Sequence, residues 1–247
     1  MSRTVVVHPT ADVLAAAAAA RLITALTDIQ ADGRVPAVAL TGGGVGIATL
    51  AAVAASPAQA SVDWRRVDIY WGDERFVPVD DDDRNEKQAR KALLDGLDVD
   101  LARVHPMPPA DGRFGADVDA AAAAYAGELA QRDAPLDVVL LGMGPEGHVA
   151  SVFPDSDAAR SRATVVAVRN CPKPPPTRIS LTLPAIRSAA DVWLLVAGNA
   201  KADAVAAALG GAEEIDVPAA GAVGRERTLW LIDRTAATRL GVAPTAL

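Results

Sequence analysis

Leu136-Asp137-Val138-Val139-Leu140-Leu141-Gly142-Met143-Gly144-Pro145-Glu146-Gly147-His148 is the most informative passage of the chain. Residues 136–141 read as an apolar strand of the kind buried on both faces of a parallel sheet. The chain leaves that strand through a glycine-rich turn and arrives at one of only three histidines.

The same pattern extends in both directions. Upstream, 4–7 reads as a strand and 11–29 as a helix, with Thr10 as its cap and Gly33 beyond its end. A second strand, 35–40, runs into Thr41-Gly42-Gly43-Gly44 and a helix reaching about residue 55. A third, 67–71, ends in Gly72-Asp73-Glu74-Arg75, and helices follow over 85–94 and 118–131. Downstream, strands are expected at 165–168, 179–182, 192–196 and 229–232, with a helix over 201–209 between the last two. Pro172-Lys173-Pro174-Pro175-Pro176 is a stiff extended connector, too short to separate domains. Such alternation implies an α/β fold of three layers, a mostly parallel sheet with helices on both faces, in one domain over 1–247.

Composition narrows the function classes. Of the 247 residues, 51% are hydrophobic and 22% charged, the balance of an ordinary globular protein. The longest apolar run, 13–20, is closed by Arg21 and falls far short of a bilayer span. The start, Met1-Ser2-Arg3-Thr4, shows no apolar leader pattern. One cysteine, Cys171, allows neither an internal disulfide nor a multi-cysteine metal site. These features together lead to the expectation of a cytoplasmic protein without a membrane partner. With 24 Lys and Arg against 31 Asp and Glu the net charge is −7, which argues against nucleic acid. An anionic small molecule would need a few basic groups and backbone N–H donors to overcome that field.

Three polar, glycine-bearing segments leave strands: 41–46, 72–75 and 142–148. Open α/β sheets bind ligands beyond the carboxyl ends of their strands, so all three are expected to meet at one crevice. Gly42, Gly43 and Gly44, after Thr41, let the backbone and a helix N-terminus approach a phosphate. The Gly-Lys-Ser/Thr of a P-loop is absent. A dinucleotide fingerprint would take Asp63 as its acid, but Asp63 precedes the next strand rather than ending it. Arg75 offers a fork for phosphate oxygens, and Asp73 could hold it or contact sugar hydroxyls. The acids at 80–83 read as a solvated loop and as charges favourable to the helix starting near Asn85, and no metal site is assigned.

His148 can take a proton from water near neutral pH, with Glu146 orienting the ring. Ser151 lacks a nucleophile elbow, which leaves it a capping or substrate-binding role. Arg178 and Lys201 are further candidate anion ligands. His8 and His105 have no acidic companions in sequence and receive no role.

Taken together, these segments resemble the 6-phosphogluconolactonase family, within the wider group of glucosamine-6-phosphate deaminases and ribose-5-phosphate isomerases. The matching pieces are Leu40-Thr41-Gly42-Gly43-Gly44, Trp71-Gly72-Asp73-Glu74-Arg75-Phe76-Val77-Pro78, Asp83-Arg84-Asn85, 141–154 and Arg178-Ile179-Ser180-Leu181-Thr182. They span nearly the whole chain in the family's order. The resemblance implies a modified Rossmann-like fold and hydrolysis of 6-phospho-D-glucono-1,5-lactone, with no required cofactor and a monomeric or small homo-oligomeric state. It implies His148 as general base, Arg75 as a phosphate or substrate ligand, and Thr41, Gly42 and Gly43 lining the site. Where the family's turn usually carries Asp, this chain has Glu146, one methylene longer. The sequence after His148, Ala150-Ser151-Val152-Phe153-Pro154, lacks the acid of the deaminases. Rival readings are a sugar-phosphate isomerase or deaminase, a nicotinamide-dependent oxidoreductase, and a non-catalytic sugar-phosphate-binding protein.

Overall fold

The computed structural model of the chain describes residues 2–241. Its strands, in chain order, are β1 (Ser2–His8), β2 (Ala37–Leu40), β3 (Asp68–Trp71), β4 (Asp73–Arg75), β5 (Val138–Gly142), β6 (Val165–Val168), β7 (Arg178–Leu181), β8 (Asp191–Val196) and β9 (Arg227–Asp233). Six of them form one sheet in the order β1-β9-β8-β5-β2-β3, every neighbouring pair parallel. The expected mostly parallel sheet is therefore present.

Successive side chains along a strand point to opposite faces, and both faces here are apolar. Ala39, Val139, Leu141, Leu194 and Trp230 enter one buried cluster, whereas Val38, Leu40, Leu140, Trp193 and Leu231 enter the other. On the second face lie α1 (Ala11–Ala31), α2 (Gly43–Ala55) and α3 (Asn85–Ala92). Thr10 caps α1 as expected, its side chain accepting from the Val13 N–H at 3.2 Å.

The first face departs from the expected simple helical layer. The helices there are α4 (Val118–Ala130), α5 (Asp157–Arg160), α6 (Leu183–Ser188), α7 (Ala202–Leu209) and α8 (Pro218–Gly221). With them packs a small antiparallel sheet, β4-β7-β6, whose Val165, Val168, Ile179 and Leu181 point into the same cluster. β4 had no chance of showing as a hydrophobic run, since it consists of Asp73, Glu74 and Arg75.

The expected strand 136–141 also needs correction. β5 runs from Val138 to Gly142, and Asp137 just before it is a buried carboxylate. It accepts from the Ala37 N–H and from Arg34, both at 2.8 Å, closing the amino ends of β2 and β5 together.

The strand order places a switch point between β2 and β5. From β2 the chain moves outward to β3, whereas β5, β8 and β9 proceed the other way. A crevice opens there at the carboxyl ends. Across it the Gly142 N–H donates to Thr41 Oγ1 at 3.2 Å, joining the turn after β2 to the end of β5.

Candidate active site

A cavity of about 310 Å³ occupies this switch point. Its wall draws on all three expected turns: Thr41, Gly42, Gly43 and Gly44 after β2, Asp73 and Arg75 of β4, and Gly144 and His148 after β5. Arg178 and Lys201 also line it. The predicted convergence is thus observed.

The turn after β2 opens α2 with no side-chain cap, Gly42 standing in the N-cap position. The first N–H groups of a helix lack intrahelical partners and attract anions. Asp63, the acid required by a dinucleotide reading, instead caps a short turn before β3 by accepting from the Arg65 N–H.

On the turn after β5 the imidazole of His148 stacks on Phe153, with ring centroids 4.2 Å apart. Gly144 is required by this packing, because a Cβ there would lie 2.1 Å from the imidazole ring. Nδ1 is buried. It lies 3.2 Å from Glu146 Oε1, but no hydrogen bond aligned on it is formed. Glu146 instead gives both oxygens to Lys173, at 3.0 Å each.

Burial is the largest influence on the His148 pKa and lowers it; Glu146 and Asp73 raise it and Lys173 lowers it, leaving it below the ordinary 6.5. The ring is therefore neutral, and able to accept a proton, through the physiological range. Burial alone would raise the Glu146 carboxyl, but its own N–H, Lys173 and the imidazole hold it below the usual range.

Behind the wall lies a second layer of polar contacts. Ser151 is fully buried and stands in this layer rather than on the cavity surface. Its hydroxyl donates to Asp73 Oδ2 at 2.7 Å and accepts from Arg178 at 3.4 Å, while its N–H donates to Ser180 Oγ. Arg178 donates to the carbonyls of Lys173, Pro174 and Pro175 at 3.1, 3.3 and 3.2 Å. Its fork is taken up in holding the proline-rich segment over the cavity. β4 and β7 set Arg75 directly opposite Arg178. Facing like charges cost stability on a sheet, and Asp73 offsets this one, 3.8 Å from Arg178.

Arg75 donates to the Asp83 carbonyl at 2.8 Å and to Asn85 Oδ1, and its buried Nε has no hydrogen-bond partner. Lys201, by contrast, makes no side-chain hydrogen bond or ion pair with any described residue. Burial, first, and then nearby Lys173 lower its pKa, against weaker opposition from Asp233 and Glu146. A half-buried ammonium without a partner is well suited to receive an anion.

Among described residues, the sequence reading missed Lys173 and Asn85. Lys173 lay hidden in a segment read only as a stiff connector. Asn85 was quoted in a motif but given no task; its side chain donates to the Asp73 carbonyl at 2.8 Å. The first N–H groups of α3 are also met by Glu74, to which the sequence reading gave no such task. This carboxylate accepts from the Asn85 N–H at 2.7 Å and the Glu86 N–H at 2.8 Å. His105 stacks on Tyr70 and pairs with Glu128, away from the cavity.

Residues 9–230 match the family described as glucosamine-6-phosphate isomerases/6-phosphogluconolactonase. The chain belongs to that family. Within it, a 6-phosphogluconolactonase of Streptomyces coelicolor is 55% identical over 244 residues, covering 95% of this chain and 94% of the relative. One from Mycobacterium tuberculosis is 54% identical over 247 residues, covering 97% and 99%. The solved structure of the family's Trypanosoma brucei 6-phosphogluconolactonase superposes with a TM-score of 0.82 at 28% identity, covering 97% of this chain and 99% of that one.

Proposed function

We propose that this chain hydrolyses 6-phospho-D-glucono-1,5-lactone to 6-phospho-D-gluconate, the second step of the oxidative pentose phosphate pathway. The observation that carries this reading is a largely buried imidazole on the wall of a cation-rich crevice, at the mouth of an uncapped helix, with its pKa lowered by that burial. Relatives sharing more than half of their residues with the chain carry the lactonase name.

In this reading the phosphate lies against the first N–H groups of α2, with Lys201 and Arg75 supplying charge. Arg178 holds the wall and takes no direct part. His148 removes a proton from water as the oxygen attacks C1, and the carbonyl π pair moves onto its oxygen. When the carbonyl re-forms, the C1–O5 bond breaks and the ring oxygen takes the proton from the imidazolium. The open-chain acid then loses its proton to solvent. Base catalysis of this kind contributes about 10²–10⁴-fold. Glu146 stabilises the imidazolium. The chain acts as a single catalytic domain, a monomer or small homo-oligomer, in the cytoplasm, and needs no cofactor.

Acid release from freshly prepared lactone, with spontaneous hydrolysis subtracted, tests this. The acid limb of kcat/KM is expected below pH 6.5, the ordinary imidazole value. A His148→Ala protein that keeps the full rate would remove the mechanism.

A further inference from the structure

Lys173 is the one cation on the cavity wall whose side chain is bound to the carboxylate beside the base. The three members stand in line: Lys173 Nζ lies 3.0 Å from both Glu146 oxygens, and Glu146 Oε1 lies 3.2 Å from His148 Nδ1. Two features make the arrangement look like one half of an exchange. The buried Nδ1 has no aligned hydrogen bond, although a carboxylate is within reach. The ammonium, meanwhile, is carried by a backbone that Arg178 fixes through three consecutive carbonyls.

Resting on the lactonase reading above, we propose that Lys173 is a catalytic residue. Its ammonium is held by Glu146 in the free protein and turns to the C1 oxygen as that oxygen gains negative charge. Glu146 is thereby released to accept a hydrogen bond from Nδ1. Water supplies the O–C1 bond and gives its proton to the far ring nitrogen. The carbonyl π pair moves onto the oxygen facing Nζ, and no proton need leave Lys173. The same displacement places positive charge at the oxyanion and moves negative charge onto the newly formed imidazolium. A cation so placed interacts more strongly with the transition state than with the neutral lactone, which is the condition for raising kcat.

The charged groups facing His148 are Glu146 from its own turn, Lys173 from the proline-rich segment and Asp73 from β4; Lys201 acts on Lys173 and Glu146. Lys173 lowers the imidazole pKa, and Glu146 and Asp73 raise it. Removing Lys173 is therefore expected to raise it whatever Lys173 does in the chemical step, and the split between kcat and KM reads its part in catalysis.

The test is steady-state hydrolysis of the lactone from pH 5 to 8 by the wild-type protein, Lys173→Met and Lys173→Arg, with circular dichroism to confirm folding. Lys173→Met is expected to lose about 10²-fold or more in kcat, as for loss of one oxyanion donor, with KM changed far less. Its acid limb should move to higher pH, and Lys173→Arg should restore part of the rate. A kcat within threefold of wild type would overturn the proposal, wherever the acid limb falls. So would a raised KM at unchanged kcat, which would mark Lys173 as a ground-state ligand, leaving the lactonase reading intact. If Lys173→Met does not fold, Lys173→Arg decides: a wild-type pH profile at wild-type kcat supports the retained charge, and complete inactivity in a folded protein overturns it. A wild-type protein that does not accelerate hydrolysis would overturn both readings.

Discussion

Glu74 and Glu146 are carboxylates set close behind strands, and their surroundings differ in kind. Glu74, in β4, is 1% exposed, and its oxygens accept three backbone N–H groups, those of Arg75, Asn85 and Glu86, at 2.7–2.8 Å. Buried Arg84 lies 3.8 Å away. Glu146 is partly exposed and shares itself between a lysine and an imidazole, satisfying only the lysine fully. A carboxylate locked by backbone donors cannot change partners without unfolding the end of α3. One held by side chains can do so by a rotamer change. The first fixes geometry, and the second can follow charge during a reaction.

The largest effect expected along this comparison comes from removing the mobile side's base. His148→Ala should lower kcat by about 10²–10⁴-fold in the lactone assay, while circular dichroism shows a folded protein. Breaking the locked side acts on stability instead. Glu74→Ala leaves buried Arg84 with Glu86 as its one carboxylate neighbour among the described residues, and three N–H groups without an acceptor. A loss of about 3 kcal/mol is expected in urea unfolding, in the range for broken buried pairs. Activity falling as far as in His148→Ala, with stability unchanged, would erase the contrast.

The two sides also differ in how they respond to pH. Burial, opposed by Arg84 and the N–H donors, pushes the Glu74 carboxyl from 4.5 up to about 7. Because its folded pKa is raised, its contribution to stability is greatest below pH 4.5 and is lost as pH rises through about 7. Glu74→Gln should therefore flatten the fall of Tm between those values, read by thermal unfolding. The smallest effect belongs to Glu146→Gln. Glu146 raises the His148 pKa, so the variant's acid limb should move to lower pH, with less rate lost than in His148→Ala. An acid limb moving upward would show that Glu146 does not act on the ring as a charge.

Much of the site was legible because strand ends and turns leave local signals. A glycine-rich turn carrying a histidine away from a buried strand, and a glycine run before a helix that exposes its N–H groups, can both be read without coordinates. Lys173 was not legible, because a proline-rich segment says that it is stiff but not where it lies. Its position depends on Arg178, five residues on, reaching back to three carbonyls. Ser151 reads from sequence as a capping or substrate-binding residue and is instead buried behind the wall, since the residues that consume it, Asp73, Arg178 and Ser180, come from two strands distant in sequence. β4 was invisible for a similar reason: three polar residues become a strand only when β7 is there to pair with them.

By itself the sequence determined the parallel sheet, its two apolar faces and the meeting of three turns at its carboxyl ends. Periodicity and glycine act within a few residues, and topology follows from them. Only the tertiary structure decided which charges are spent and which are free: Arg178 on the wall, Glu74 on α3, Lys201 without a partner and Glu146 between two claimants. Such pairings join residues far apart in the chain, as for Arg178 and Asp73. The energy of a buried charge depends on what surrounds it in space, and spacing along the chain does not record that.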